Sequence, residues 1–288
     1  MTMTHGPAAG SLLRQRRFRT IGMGVLYTLF SLVAILFTLP FFLMLSSAFK
    51  SSAEILRVPP TLFPADPSFD AFRTVLNDAP FFRWFANSLL VSSTITLLVL
   101  FTCSLAGYIF AKFRFPGRDV IFVVLLMTMM VPFPVLLIPS YLVVNELNLI
   151  NSLWALIVPA MVSAFGIFLM RQFIAGIPND LIEAARLDGA PEWSIYARII
   201  VPLARPPMAA LGIFTFLAAW NDYLWPLIVI NDLEKSTLPL ALTFFNSQHA
   251  QRYDLVMAAA AMAVIPVIIV FVIFQRQIVN ALVLAGLK

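Results

Sequence analysis

Glu183-Ala184-Ala185-Arg186-Leu187-Asp188-Gly189-Ala190 lies in the one long polar interval, residues 171–205, of a chain that is otherwise mostly apolar. The stretch reads as a short amphipathic helix. Asp180 can cap its start, and Glu183 three residues on closes a capping box. Leu181, Ile182, Ala184, Ala185 and Leu187 recur at helical spacing and give one apolar side. Gly189 stops the helix, because glycine adopts the left-handed conformation at little cost. Pro191 suits the first turn of a second helix. The small residues at its centre let another surface approach closely. A helix of this kind also suits a membrane interface.

What flanks this interval settles the fold class. Hydrophobic residues make up 61% of the chain and charged residues 11%, which is outside the range of a soluble domain. A membrane helix needs roughly twenty mostly apolar residues. Intervals 20–49, 84–111, 120–145, 147–170 and 255–275 meet that length without a charge, and 206–231 is interrupted only by Asp222. Hydrocarbon offers no partner to a backbone amide, so the spans are expected to be helices, and they lack the alternation of barrel strands. The expectation is an all-α, polytopic bundle of six transmembrane helices.

The basic residues orient it. Arg14, Arg16, Arg17, Arg19, Lys112, Arg114, Arg118, Arg171, Arg186, Arg198, Arg205, Arg276 and Lys288 fall on one side of such a bundle. Lys50, Arg57, Arg73, Arg83, Lys235 and Arg252 fall on the other. The richer side is expected to be cytoplasmic, which places both termini and the Glu183 loop there. The net charge of +5 therefore belongs to membrane orientation and not to nucleic acid. Residues 1–20 read as a cytoplasmic segment, 21–83 as an uncleaved first helix with an external loop, 84–276 as the core, and 277–288 as a cytoplasmic tail. Pro132, Pro134 and Pro139 are expected to kink or break the third span. A short helix is expected near residues 69–76 in the first external loop, and residues 232–254 read as a longer external loop.

Glu183-Ala184-Ala185 and Gly189, followed by Ile199 and Val201-Pro202, resemble the EAA loop of ABC importer permeases, with Val201 where the family usually has leucine. Two further stretches resemble the carbohydrate branch of that family, the maltose-transporter type. They are Ala106-Gly107-Tyr108 through Phe115-Pro116-Gly117-Arg118, and Trp220-Asn221-Asp222-Tyr223-Leu224-Trp225-Pro226-Leu227. The resemblance implies a subunit that works by alternating access beside a homologous second permease. Two ATPase subunits would dock beneath, and an external sugar-binding protein would deliver cargo. Glu183, Ala184, Ala185, Asp188, Gly189 and Ala190 would then form the coupling helix that meets the ATPase. ATP and Mg would sit on that partner.

Nothing in the chain argues for chemistry of its own. It has no Gly-x-x-x-x-Gly-Lys-Ser/Thr loop, no nucleophile elbow and no His/Cys cluster for a metal. Cys103, the single cysteine, reads as a packing residue. Asp222 is the outstanding polar group, since an ionisable residue within a span normally faces the bundle interior or water. With Trp220, Asn221 and Tyr223 it could line a substrate pathway, or it could serve as a structural or gate residue near the outer interface. No span carries a Lys or Arg at depth, which leans toward a neutral, hydroxyl-rich cargo over a phosphate. A glycerol phosphate, polyol or amino-sugar permease and an ion-coupled secondary transporter are the alternatives, and the absence of internal repeats weighs against the last. Asn246, Ser247 and Gln248 form the polar tip of the 232–254 loop, where the resemblance implies contact with the binding protein.

Overall fold

A computed structural model describes residues 9–248 and 252–286. The described residues are helical with no strand. In chain order the helices are α1 (Ala9–Ser47), α2 (Ser52–Ile55), α3 (Asp70–Asp78), α4 (Phe81–Lys112), α5 (Arg118–Thr128), α6 (Phe133–Glu146), α7 (Trp154–Ala160) and α8 (Ala164–Ala175). Then come α9 (Asn179–Leu187), α10 (Glu192–Ile195), α11 (Val201–Leu203), α12 (Arg205–Trp220), α13 (Leu224–Val229), α14 (Leu238–Gln248) and α15 (Tyr253–Gly286). A π-turn, Tyr196–Ile200, joins α10 to α11. It ends beside Pro202, which has no N–H to continue an α-helical ladder.

Among the described residues, three helical stretches are long and apolar enough to cross a membrane unbroken: Met23–Ser47, Phe81–Lys112 and Tyr253–Ile273. Three more candidate spans are broken pairs. α5 and α6 meet at 104°, α7 and α8 at 42°, and the run Glu192–Leu203 meets α12 at 78°. The count of six thus stands if each bent pair is one span. The break between α5 and α6 falls at Pro132 and not at Pro139, which α6 carries internally. A proline disfavours helical backbone in the residue before it, so Val131 lies in the break after α5 has ended at Thr128, and Pro132 caps the start of α6.

The interval 206–231 departs most from a plain span. α12 is 16 residues long, about 24 Å at 1.5 Å per residue, short of a hydrocarbon core of about 30 Å. The chain then breaks at residues 221–223 before α13, so Asp222 sits in a gap between helices and not within one. The 232–254 segment is no simple loop either, because α14 occupies much of it. Asn246, Ser247 and Gln248 fall in the last turn of α14, and His249 lies outside the described residues. α15 runs past Arg276 to Gly286 without interruption. The expected short external helix is α3, Asp70–Asp78.

Two buried clusters hold the bundle. The larger joins Val91, Ile95, Val99 and Cys103 of α4 to Ile167, Met170 and Ile174 of α8 and Leu211 of α12. The smaller gathers Trp84, from the first turns of α4, with Trp220, Val75, Leu238, Leu255 and Ala258. α4 therefore sits at the centre, with α8 packed tightly along it. Gly107 and Gly166 allow that approach, as small residues do between membrane helices. In contrast, α1 side chains from Met23 to Phe42 are exposed, which in a bilayer means contact with lipid or another subunit.

The polar groups gather at two ends. At one, Lys112 Nζ donates to Asn179 Oδ1 at 2.8 Å, tying the end of α4 to the start of α9. At the other, Trp84 Nε1 donates to Leu233 O at 2.8 Å and Asn87 Nδ2 to Glu234 O at 2.9 Å. Arg83 pairs with Glu234, and Ser52 donates to Asp254. Lys112 and Arg83, which the sequence assigns to opposite sides, lie at these two different ends.

Candidate functional site

α9 carries Glu183, Ala184, Ala185, Arg186 and Leu187. Its start is not the expected capping box. Pro178 is the capping residue and offers no side-chain acceptor, while Asp180 lies inside the first turn. There its charge still favours the positive end of the helix dipole. The end is built as expected from glycine. Gly189 has φ +77°, its N–H donates to Arg186 O at 3.0 Å, and Ala190 N–H donates to Ala185 O at 3.0 Å. These two bonds are a Schellman motif, which satisfies carbonyls that a helix end leaves open.

The apolar side divides differently from the sequence expectation. Ile182 is 2% exposed and anchors α9 to the bundle, with Ala185 half-buried beside it. Leu187 is 90% exposed, and Glu183, Ala184, Asp188 and Gly189 are exposed as well. Each helical residue turns about 100°, so Leu187 stands about 140° away from Ile182 and cannot share its face. α9 thus has an inward face and an outward face that holds both an acid and a bare leucine.

Arg186 fixes how α9 sits. Its Nε donates to Glu192 Oε1 at 2.6 Å, and Tyr108 O–H donates to Glu192 Oε2 at 2.8 Å. That hydrogen bond from Arg186 is the main reason the Glu192 carboxyl is held below its usual value, against a smaller opposing effect of burial. The pair is roughly 40% exposed on each side, so it contributes at most about 1 kcal/mol. Burial of Ile182 contributes about 1.5–3 kcal/mol. The isoleucine holds the helix, and the ion pair orients it. In the sequence Tyr108 stands out only as part of the stretch from Ala106 to Arg118, and Glu192, though inside the polar interval 171–205, carries no signal of its own.

A cavity of about 460 Å³ lies among α4, α6, α7, α12 and α13. Asp222, Trp225, Thr215, Ser140, Thr237 and Phe133 line it, together with Val91, Ile95 and Val99 of α4, and among the described residues no Lys or Arg does. Thr237 Oγ1 is buried without a hydrogen-bond partner. Asp222 Oδ1 accepts from Trp225 N–H at 3.4 Å, and Trp225 Nε1 donates to Ala155 O at 2.9 Å. The four residues 220–223 do not share one environment. Trp220 points into the smaller core, stacked on Phe216 and edge-on to Phe85, because it sits on the far side of α12. Asn221 donates back to Leu217 O and Tyr223 is exposed, so Asp222 is the member of the set that lines the cavity.

Residues 103–283 match the family described as binding-protein-dependent transport system inner membrane component. The chain belongs to that family. The permease is 38% identical over 263 residues to the arabinooligosaccharides transport system permease protein AraQ of Bacillus subtilis (strain 168), covering 90% of this chain and 93% of that one. It is 36% identical over 262 residues to the lactose transport system permease protein LacG of Rhizobium radiobacter, covering 90% and 94%. Among solved structures it is similar to a bacterial ABC transporter involved in the import of the acidic polysaccharide alginate. That match has a TM-score of 0.77 and 26% identity, and it covers 96% of this permease and 99% of that chain. The permease is accordingly a multi-pass inner-membrane component of a transporter that depends on a binding protein.

Proposed function

We propose that this permease is one of two membrane subunits of an ATP-driven ABC importer for a neutral carbohydrate. The observation that carries the reading is the two-sided α9. Ile182 fastens it to the bundle while Glu183, Ala184 and Leu187 face outward at the basic, cytoplasmic end. An exposed leucine flanked by alanine and a carboxylate is a surface for a groove in another protein, where Leu187 fills an apolar pocket and Glu183 meets a basic group. That protein is the ATPase, which supplies ATP and Mg chemistry this chain lacks. Two copies of it drive the bundle and a homologous second permease between inward- and outward-facing states. Both termini are cytoplasmic in this arrangement.

The cavity favours the cargo class. It presents one carboxylate and several hydroxyls and no cation, which suits hydroxyl-rich sugar and opposes a phosphate. Some relatives import other cargo, among them the sn-glycerol-3-phosphate transport system permease protein UgpE of Escherichia coli, at 32% identity. At the opposite end, Asn246, Ser247 and Gln248 close α14 and are assigned to the sugar-binding protein. The test is uptake by a strain lacking this gene, compared with its complemented parent, for labelled arabinooligosaccharides, lactose and sn-glycerol 3-phosphate. The proposal requires gene-dependent uptake of a neutral sugar. Uptake of the phosphate alone would overturn the cargo assignment.

A further inference from the structure

The contacts around Glu192 form a path from the outward helix into the centre of the bundle. Arg186 sits in the last turn of α9 and holds one oxygen of Glu192, while Tyr108 of α4 holds the other. Tyr108 is 2% exposed and packs edge-on against Phe113, with ring centroids 5.3 Å apart. It also lies against Tyr196 at 6.0 Å, and the Tyr196 hydroxyl shares a buried hydrogen bond of 2.7 Å with Ser104, again on α4. One helical turn beyond Tyr108, Lys112 bonds Ile177 O and Asn179 at the start of α9. Both ends of α9 are therefore attached to one face of the last turns of α4.

α4 is also the helix that reaches the cavity and the far end. Val91, Ile95 and Val99 line the cavity. Near its first turns, Trp84, Asn87 and Ser88 hold the segment that leads from Leu233 to Leu238, and this segment contains the cavity residue Thr237. A helix is stiff along its axis, so a displacement of its last turns carries to its first ones.

We propose that Glu192 is a positioning residue, a two-sided clasp that makes α4 move with α9 and so couples ATP turnover to the cavity. This rests on the reading of α9 as the ATPase-facing helix. Arg186 delivers the motion of α9 and Tyr108 receives it. No local pattern marks Glu192 for this role, because one of its two partners, Tyr108, is 84 residues away in the chain.

The experiment uses the assembled complex, purified through a tag on this chain and reconstituted into proteoliposomes with its binding protein. It measures ATP hydrolysed and labelled cargo imported, for wild type, Tyr108→Phe, Glu192→Gln and, on the outward face of α9, Leu187→Glu. Tyr108→Phe removes one hydroxyl and leaves the ring in place. Cargo imported per ATP is expected to fall about tenfold in Tyr108→Phe, the effect of losing a hydrogen bond to a charged group, with unchanged assembly and basal hydrolysis. Glu192→Gln keeps an acceptor for Tyr108 and loses the charge pair, and its ratio should lie between the two. A wild-type ratio in both, while Leu187→Glu abolishes ATPase association, overturns the clasp and leaves the function standing. Loss of thermal stability with an unchanged ratio makes the cluster structural and also overturns it. Unaltered association and uptake in Leu187→Glu removes the underlying reading as well.

Discussion

Gly107 of α4 lies so close to Met170 of α8 that a Cβ on it would stand 2.6 Å from Met170 Cβ and 2.9 Å from the Arg171 backbone nitrogen. Neither neighbour is the tip of a flexible side chain, so the two helices would have to part. Gly107→Ala is expected to destabilise the subunit by about 1–3 kcal/mol, the range for overpacking. Gly24→Ala, where nothing lies within 4 Å, should be neutral. Thermal unfolding in detergent, compared between the two variants, checks this. Equal melting temperatures would contradict the close approach.

Gly189 presents the opposite case. Nothing lies within 4 Å of a Cβ built there, yet its φ is +77°. A substitution is penalised by backbone conformation and not by space. Gly189→Val should impair uptake, because a β-branched residue resists this conformation and the Schellman bonds of α9 would break. Gly189→Asn should retain most of it, since asparagine tolerates the left-handed region. Uptake assays on both variants distinguish a conformational requirement from a steric one.

Leu187 is exposed on the free subunit, so replacing it should cost the fold little. Leu187→Ser is expected to leave expression and melting unchanged while reducing the ATPase recovered with the complex about tenfold or more, as for loss of an apolar interface anchor. Quantitative co-purification is the measurement. Full recovery of the ATPase would place the docking surface elsewhere.

The Glu192 carboxyl is held below its usual value in the folded chain by Arg186, so its contribution has a defined pH window. Its stabilisation is fully present above the unfolded value, near about 4.3, and is lost as pH falls through the lower folded value. The difference in melting temperature between wild type and Glu192→Gln should stay constant from about pH 5 to 8 and shrink only in acid. A difference that changed near neutrality would assign the effect to another group.

Asp222 lines the cavity and also accepts the Trp225 N–H. Asp222→Asn keeps an acceptor and removes the charge, so the complex should assemble normally. Asp222→Leu loses the acceptor and should weaken the turn between α12 and α13 by about 1–2 kcal/mol, in line with loss of a capping group. Comparing melting and uptake for both separates a structural role from a cargo role. Reduced uptake in Asp222→Asn at unchanged stability would assign the carboxylate to cargo.

By itself, the sequence determined the class, the apolar intervals and the polar interval that holds α9. These follow from local physics: hydrocarbon demands helices of a certain length, charged residues gather between them, and glycine at 189 accepts the left-handed backbone that ends a helix. The left-handed Gly189 and the break near Pro132 were legible because backbone sterics act within a few residues. Other features were decided by the tertiary structure. Asp180 gave way as a cap because Pro178 fixed the turn into α9 first. Leu187 faces outward because Ile182 and Ala185 take the inward side of α9, and Leu187 stands about 140° from Ile182. Trp220 left the polar group around Asp222 for the smaller core because the chain breaks after it and its ring meets Phe85 and Phe216. The partnership of Tyr108, Arg186 and Glu192 depends on α4 and α9 meeting across many residues of chain, and no local pattern records which acid a distant tyrosine will find.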